Sequence, residues 1–277
     1  MKKISHNKPF STIVLCLLLV VSCQQKTKVA NRDSEQKQEL FFRTYTSDTL
    51  EENPVLLLVL HGDSPFNNPS YQYRVARLLA ESNTNVVAVG VLRPGYTDEE
   101  GNTSEGTKGF TTGDNYTKEV NESIHELTKD LITEHKASKV ILVGHSGGAA
   151  ISANLISEYP ETYQSAVLAA CPCDLDVWRG HMAKFQPDFD KWKEPVNSLS
   201  PIKLVDQINE DATVMLVHGT NDKVVPLEIV KQYESELKSH QKSVELLEIV
   251  DAGHDILFDK QVFLAVEMLL TRQNPNK

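Results

Sequence analysis

The sequence predicts a doubly wound α/β fold, with a mostly parallel sheet and helices on both faces. Short runs that are apolar at nearly every position alternate along the chain with segments in which apolar residues recur at helical spacing. Strands that are apolar on both sides are typical of parallel sheets, because helices cover both faces of such sheets. The regular alternation of strand and helix favours right-handed crossover connections between neighbouring parallel strands.

Six apolar runs are predicted to form the parallel strands. They cover residues 54–60, 85–92, 139–143, 165–170, 212–217 and 243–250. Five of the six runs have a glycine within the three residues that follow them, and such a glycine marks a turn. Residues 40–49 precede the first run and are predicted to add an antiparallel edge strand.

Helices are predicted where apolar residues recur three or four positions apart. These segments are residues 71–82, 116–135, 149–159, 226–240 and 259–271. The third begins directly after a strand and stops before Pro160, a residue that cannot continue a helix.

Two segments interrupt the alternation of strands and helices. Residues 96–115 are glycine-rich and are predicted to form a long loop, whereas residues 174–201 hold both tryptophans and are predicted to form a short cap.

The composition argues against several classes of protein. The chain has 277 residues, with 38 acidic and 28 basic side chains and a formal charge of −10. A chain of this length buries a large core without a disulfide or a metal. Because nucleic-acid binding requires clustered Lys and Arg, no nucleic-acid partner is expected. The sequence contains no C-x-x-C pair, H-E-x-x-H motif or P-loop, so neither a metal nor another cofactor is expected.

The N-terminal segment is predicted to be an export signal. Three lysines, at positions 2, 3 and 8, precede an apolar run over residues 13–21 that is too short to span a bilayer. The run ends in Val20-Val21-Ser22-Cys23, which resembles the lipobox of bacterial lipoproteins. A simple cleavable signal with a chance cysteine is the alternative. We therefore predict a signal peptide over residues 1–22, lipid on Cys23, and an exported protein anchored to a membrane of the bacterial cell envelope.

A tether and one folded domain are predicted to follow the signal. Residues 24–38 are polar, with almost no large apolar side chain, so residues 23–39 are expected to be flexible. The folded domain is predicted to cover residues 40–272. Within it, Cys171 and Cys173 are expected to be two small buried residues at a strand end. Two thiols and a strained disulfide are both open, and a redox site is a further alternative.

The strongest functional motif is Gly144-His145-Ser146-Gly147-Gly148. It matches G-x-S-x-G directly after a predicted strand and directly before a predicted helix. In that context the serine stands at the tip of a turn so tight that its neighbours have to be small. The motif therefore predicts a nucleophilic serine; a glycine-rich turn without a chemical role is the alternative.

A serine nucleophile needs a base to accept its proton and an acid to orient that base. His254 follows the sixth predicted strand, and Asp222 follows the fifth. Because ligands bind at the carboxyl ends of parallel strands, we predict that Ser146, Asp222 and His254 form a catalytic triad. Taken singly, Asp222 is explained as a helix cap and His254 as an ordinary loop histidine. Asp174 and Asp176, after the fourth strand, are the alternative acids.

The oxyanion formed in acyl transfer needs two N–H donors. By position, these are the backbone N–H groups of Gly147 and of Asp63, which lies just after the first parallel strand. A carboxylate beside an oxyanion is unfavourable, so the Asp63 side chain is expected to point away. His61 and His218 each precede a glycine at a strand end and are expected to be structural, hydrogen-bonding histidines.

Together these motifs resemble those of the α/β-hydrolase superfamily, over residues 40–272. The chain order Ser146, Asp222, His254 is the order of that superfamily. The other matching motifs are His61-Gly62, Arg93-Pro94-Gly95, His218-Gly219-Thr220-Asn221-Asp222 and Gly253-His254. The double glycine after Ser146 and the string ending at Asp222 are similar to those of esterases and prolyl-oligopeptidase-like serine peptidases. The resemblance implies hydrolysis through an acyl-enzyme, without metal or cofactor.

A carboxylic ester is the expected substrate, and a small amide or peptide is the alternative within the same chemistry. An inactive surface-binding protein of the same fold, and a lyase or haloperoxidase, are the alternatives from other classes. The loops beside the predicted site carry Asp98, Glu99, Glu100 and Asp114 in addition to Asp63. We therefore expect an acidic rim that disfavours anionic substrates.

Overall fold

The computed structural model describes residues 38–272. The predicted signal peptide, Cys23 and all but the last two residues of the predicted tether lie outside this part of the chain. Within it, no helix combines the length and the apolarity that crossing a bilayer requires.

One seven-stranded sheet organises the described residues. Its strands are β1 (Phe42–Thr46), β2 (Val55–Leu60), β3 (Val86–Val91), β4 (Lys139–His145), β5 (Ser165–Ala169), β6 (Thr213–Gly219) and β7 (Ser243–Ile249). Their order across the sheet is β1-β3-β2-β4-β5-β6-β7. All neighbours are parallel except β1 and β3, which are antiparallel. The predicted fold class is therefore confirmed, including the antiparallel edge strand.

Helices cover both faces of the sheet. They are α1 (Tyr71–Glu81), α2 (Lys118–His135), α3 (Gly147–Glu158), α4 (Leu175–Phe185), α5 (Leu227–Ser239) and α6 (Lys260–Thr271). Helices α1 and α6 pack on one face, and α2, α3 and α5 pack on the other. Side chains of β2 alternate between the two layers, because successive residues of a strand point to opposite faces.

The cap segment contains a helix that the periodicity argument missed. Helix α4 begins after Asp174, whose carboxylate accepts a hydrogen bond from the Val177 N–H at 3.1 Å. Leu175, Trp178 and Met182 lie on its buried face, at the spacing by which the helix could have been found. Two short 3₁₀ helices follow α4: Asp190–Lys193 lies within the segment, and Pro201–Gln207 begins at its last residue.

A further difference concerns the last strand of the sheet. β7 was predicted to be apolar on both sides, but it is the last strand of the sheet and none of its residues is fully buried. Its two glutamates, Glu245 and Glu248, fit an edge position.

The two cysteines after β5 form a disulfide. Cys171 and Cys173 are fully buried and bonded to each other, so of the two alternatives, two thiols or a disulfide, the structure has the disulfide.

The strand register brings four turns to one edge of the sheet. Leu60 of β2 pairs with Gly144 of β4, and Gly219 of β6 pairs with Ile249 of β7. These residues are at or next to the carboxyl ends of their strands. The turns that carry the predicted functional residues therefore lie side by side, as the rule for parallel sheets requires.

Candidate active site

Ser146 stands on the turn between β4 and α3 with a strained backbone. Its φ is 51° and its ψ is −120°, which is outside the regions that non-glycine residues favour. The Ser146 N–H donates to the Ala169 carbonyl at 2.8 Å and holds the turn. A Cβ on Gly148 would lie 2.4 Å from the His61 carbonyl oxygen, so this turn also requires glycine there. The arrangement is that of a nucleophile elbow.

The structure brings the three predicted triad residues together. His254 Nε2 lies 2.9 Å from Ser146 Oγ, and His254 Nδ1 lies 2.8 Å from Asp222 Oδ2. A base that accepts the serine proton at Nε2 has to carry its own proton on Nδ1, where Asp222 accepts it. The geometry therefore suits proton transfer from Ser146 to His254.

Asp222 is buried and well supplied with hydrogen bonds. Its Oδ1 accepts from the N–H groups of Val224 at 2.8 Å and Val225 at 2.9 Å, so it also caps the turn before α5. Burial acts to raise the pKa of Asp222, but the hydrogen bond and charge of His254 outweigh it and hold the pKa below its ordinary value. Asp222 therefore stays ionised beside the histidine.

The alternative acids are engaged elsewhere. Asp174 caps α4 through the Val177 N–H. Asp176 forms an ion pair with Lys203, with 2.6 Å between Oδ2 and Nζ. Neither carboxylate contacts His254, so Asp222 is the acid that the geometry selects.

The turn after β2 lies against the nucleophile, but the Asp63 side chain differs from the expectation. A Cβ on Gly147 would lie 2.6 Å from Asp63 Oδ1, so the carboxylate faces Gly147 rather than pointing away. The expectation was wrong because Arg93 is fully buried beneath this turn and its Nη1 donates to Asp63 Oδ1 at 2.9 Å. Tyr116 donates its hydroxyl to Asp63 Oδ2 at 2.8 Å. A compensated carboxylate can therefore lie close to the site.

His61 and His218 are structural, as expected. His61 Nδ1 donates to the Gly62 carbonyl at 2.7 Å, and its Nε2 accepts from the Arg93 N–H at 3.0 Å. His218 Nε2 donates to the Val225 carbonyl at 2.9 Å. Burial lowers the pKa of both histidines, and Arg93 lowers that of His61 further. Both are neutral scaffold residues for the turns that carry Asp63 and Asp222.

Two residues at the site were missed by the sequence analysis. His145, directly before the nucleophile, lies between Tyr71 and the backbone of His254, with 3.0 Å contacts on both sides. Tyr71 also accepts a hydrogen bond from the Gly62 N–H at 2.5 Å. The only sequence signal for His145 is its place in the G-x-S-x-G motif, and Tyr71 carries none.

Of the five residues named for the expected acidic rim, Asp63 lines the site, whereas Asp98, Glu99, Glu100 and Asp114 do not. Asp98 is buried, accepting hydrogen bonds from Asn102 and Tyr73. Glu100 pairs with Arg43 at 2.5 Å. Asp114 accepts from the N–H groups of Phe110 and Thr112. Asp98, Glu100 and Asp114 are thus engaged with their own loop, with Tyr73 of α1 and with Arg43 of β1, which is why they do not point into the site.

Two cavities meet at Ser146 and His254. The larger, of about 780 Å³, is mostly apolar. Its aromatic and thioether side chains come from the cap, the long loop and the turn after β2: Phe66, Phe110, Trp178, Met182, Phe185, Phe189 and Trp192. The smaller, of about 380 Å³, includes Tyr71, His145, Asp255 and Phe258. No Lys or Arg of residues 38–272 lines either cavity.

Arg179 of α4 joins the two walls of the larger cavity. Its Nη1 donates to the Thr112 carbonyl in the long loop. Its Nη2 donates to the carbonyls of Lys191, Trp192 and Glu194 in the cap. The side chain is buried, so its charge serves backbone carbonyls rather than a ligand.

Comparison with known proteins assigns the family. The model of the prolyl oligopeptidase family matches residues 97–269. The chain belongs to the prolyl oligopeptidase family. The matched segment contains Ser146, Asp222 and His254. It begins after the turn that carries Asp63, which the family match does not include.

One curated relative that this chain resembles in sequence is the acylamino-acid-releasing enzyme of Homo sapiens. It is 32% identical over 146 residues, which are 47% of this chain and 19% of that enzyme. The chain thus spans about a fifth of the length of the curated relatives that it matches.

Solved structures share the fold of this family member. Est1E from Butyrivibrio proteoclasticus, solved with ferulic acid bound, has a TM-score of 0.62 at 16% identity, covering 84% of this chain and 93% of that chain. The acylaminoacyl peptidase of Pyrococcus horikoshii has a TM-score of 0.65 at 15% identity, covering 87% of this chain and 42% of that chain. The predicted resemblance to the α/β-hydrolase superfamily of serine hydrolases is confirmed.

Proposed function

We propose that this protein is a serine hydrolase that cleaves carboxylic esters through an acyl-enzyme. The observation that carries the proposal is the Ser146–His254–Asp222 hydrogen-bond series, with 2.9 Å and 2.8 Å between successive partners. A binding protein has no physical need for such a series on a strained turn. Membership in the prolyl oligopeptidase family supports the same chemistry.

The reaction follows from the roles of these side chains. Ser146 Oγ attacks the carbonyl carbon while His254 Nε2 accepts its proton, and Asp222 stabilises the imidazolium that forms. The N–H groups of Gly147 and Asp63 are the proposed donors to the oxyanion. His254 then gives the proton to the leaving alcohol as the C–O bond breaks. Water deacylates the enzyme by the same steps, with His254 again as the base.

The larger cavity supports a substrate with a bulky apolar group. Its aromatic lining removes apolar surface from water, which stabilises a bound hydrocarbon by roughly 25 cal/mol per Å² buried. The absence of Lys and Arg from its described lining, together with the exposed Asp255 in the smaller cavity, disfavours anionic substrates. We therefore propose neutral esters with an aromatic or long aliphatic acyl group.

A peptidase or amidase is the second candidate. The acylamino-acid-releasing enzymes among the relatives favour it, and a blocked aminoacyl group is neutral and fits an apolar cavity. Ester and amide cleavage use the same nucleophile and base, so the difference rests on the protonation of the leaving group.

A matched substrate pair distinguishes the two candidates. The p-nitrophenyl ester and the p-nitroanilide of the same N-acetylated aromatic amino acid share one acyl group and differ only in the leaving group. We expect turnover of the ester by the residue 23–277 protein, and loss of essentially all of it in Ser146→Ala. Asp222→Asn is expected to lower kcat by about 10⁴-fold through poor histidine orientation, while Asp174→Asn stays near wild type. Faster cleavage of the anilide would instead establish the peptidase.

We also propose that the protein is exported and held at a membrane by lipid on Cys23. The basic start, the short apolar run and the Val-Val-Ser-Cys ending support this proposal. In a bacterial host, Cys23→Ala is expected to lose fatty-acid labelling and membrane fractionation. Cys16→Ala is the matched control, because that residue leaves with the signal. Membrane association that survives in Cys23→Ala refutes the lipid anchor.

A further inference from the structure

We propose that Tyr71 and His145 are positioning residues that connect the turn of the proposed oxyanion donor to the loop of the proposed base. The inference rests on the proposed function, because it assigns a task within that reaction. Neither side chain contacts Ser146 Oγ through a hydrogen bond. Instead, they connect the backbone N–H of Gly62 to the backbone carbonyl of His254 through hydrogen bonds.

The chemistry of the donors gives this series one direction. The Gly62 N–H can only donate, so the Tyr71 oxygen accepts it, at 2.5 Å. The Tyr71 hydroxyl proton is then available to His145 Nδ1, at 3.0 Å. The His254 carbonyl can only accept, so His145 Nε2 carries a proton and donates it, at 3.0 Å. His145 is therefore the neutral Nε2–H tautomer.

The surroundings of His145 maintain this tautomer. The side chain is buried, and burial together with the charge of His254 lowers the pKa of His145 to about 4. Asp222 and Asp255 act in the opposite direction but do not outweigh burial. A protonated His145 would have no lone pair for the Tyr71 hydroxyl, and the series would break at that point.

The position of the series explains what it does. Gly62 directly precedes Asp63, the proposed oxyanion donor, and a Cβ on Gly62 would lie 3.0 Å from Ser146 Cβ. At the other end, the His254 carbonyl belongs to the residue whose ring faces Ser146. The two groups have to be held at fixed positions beside one serine, and a displacement of about 1 Å can cost on the order of 100-fold in rate. Tyr71 and His145 span that gap with side chains that are 74 residues apart.

The test compares two tyrosines of α1. Tyr71→Phe removes the central hydroxyl, and Tyr73→Phe is the matched control, because its hydroxyl bonds to Asp98 away from the site. We expect Tyr71→Phe to lower kcat for the p-nitrophenyl ester by on the order of 10- to 100-fold with KM changed less than about threefold. Tyr73→Phe is expected to keep the wild-type kcat at an equal or larger loss of melting temperature.

Coupling and rescue separate positioning from packing. Because the bonds form one series, Tyr71→Phe combined with His145→Phe is expected to lose no more kcat than the worse single variant. His145→Gln, whose amide can both accept from Tyr71 and donate to His254, is expected to recover part of the kcat that His145→Phe loses. In ¹⁵N-labelled protein, His145 is expected to show a protonated Nε2 and an unprotonated Nδ1 between about pH 5 and 8.

The outcomes distinguish this inference from the function on which it rests. If Ser146→Ala retains turnover, the proposed function is wrong. If Ser146→Ala is inactive but Tyr71→Phe matches Tyr73→Phe in kcat, the positioning role alone is wrong. Additive losses in the double variant, or a protonated Nδ1 on His145 at neutral pH, also overturn it.

Discussion

At the scale of single residues, the pairing of Asp63 with Arg93 decides whether a carboxylate is tolerated beside the nucleophile. Arg93 is fully buried, and its guanidinium stacks on the ring of Tyr96 as well as bonding Asp63 Oδ1. A second hydrogen bond from Nη1 reaches the His61 carbonyl at 3.2 Å. Arg93 thus holds both ends of the turn after β2 and neutralises the charge that would oppose an oxyanion.

Arg93→Met is expected to lower kcat on the order of 100-fold, because the Asp63 carboxylate is then uncompensated near the oxyanion. Breaking the buried pair should also cost about 3 kcal/mol of unfolding free energy. Asp63→Asn added to Arg93→Met removes the unpaired charge and is expected to restore part of both. Steady-state kinetics and urea unfolding of the two single variants and the double variant measure this. A double variant no better than Arg93→Met would show that charge is not the reason.

At the scale of elements, α4 and the long loop build the larger cavity, and Arg179 holds them together. Four backbone carbonyls from two segments converge on this one side chain. Phe185 and Phe189, at the end of α4 and just beyond it, line the cavity while about half exposed. The shape of the cavity therefore depends on a contact between segments that the sheet itself does not support.

Arg179→Met is expected to lower kcat/KM for an ester with a bulky aromatic acyl group by at least about tenfold more than for the corresponding acetate. The acetate is cleaved by the triad but does not fill the cavity. Removing Arg179 leaves the backbone carbonyls of the cavity walls without their donor, so it is expected to affect the ester that fills the cavity. Arg77→Met is the control, because Arg77 is exposed on α1, where it pairs with Glu81. Equal losses on both esters would place the effect of Arg179 on the triad instead.

At the scale of the whole molecule, buried neutral histidines make stability depend on pH. Burial lowers the pKa of His61, His145 and His218, while in the unfolded chain each titrates near its ordinary value of about 6.5. Below that value the unfolded state binds more protons than the folded state. The unfolding free energy therefore falls as the pH falls below about 6.5, and it continues to fall until the pH reaches the pKa of each histidine in the folded state. For His145 this folded-state pKa is about 4.

Urea unfolding is expected to show a lower unfolding free energy at pH 5 than at pH 7, with a loss on the order of 1–2 kcal/mol from His145 and further losses of the same sign from His61 and His218. His145→Gln should reduce the pH dependence by about one proton. His240→Gln is the control, since His240 is partly exposed on α5's C-terminal side and lacks such burial. An unfolding free energy that is flat between these pH values would contradict the argument.

The pattern of the sequence by itself determined the sheet, five of the six α-helices of residues 38–272 and the three residues of the triad. Each depends on local information: apolar runs mark strands, helical spacing marks helices, and the parallel sheet brings strand ends to one edge. The G-x-S-x-G motif needs only five residues to specify its turn. Ser146, Asp222 and His254 were therefore predictable before their distances were known.

Only the tertiary structure decided what supports the triad. The Asp63–Arg93 pair, the Tyr71–His145 series and the Arg179 contacts join side chains 30, 74 and 67 residues from their partners. Such contacts depend on the path of loops and on which side chains are buried together, and neither leaves a periodic trace in the sequence. The Asp63 carboxylate illustrates the reason: its charge predicted that it would turn away from the site, and a buried arginine brought in by another strand end allows it to remain.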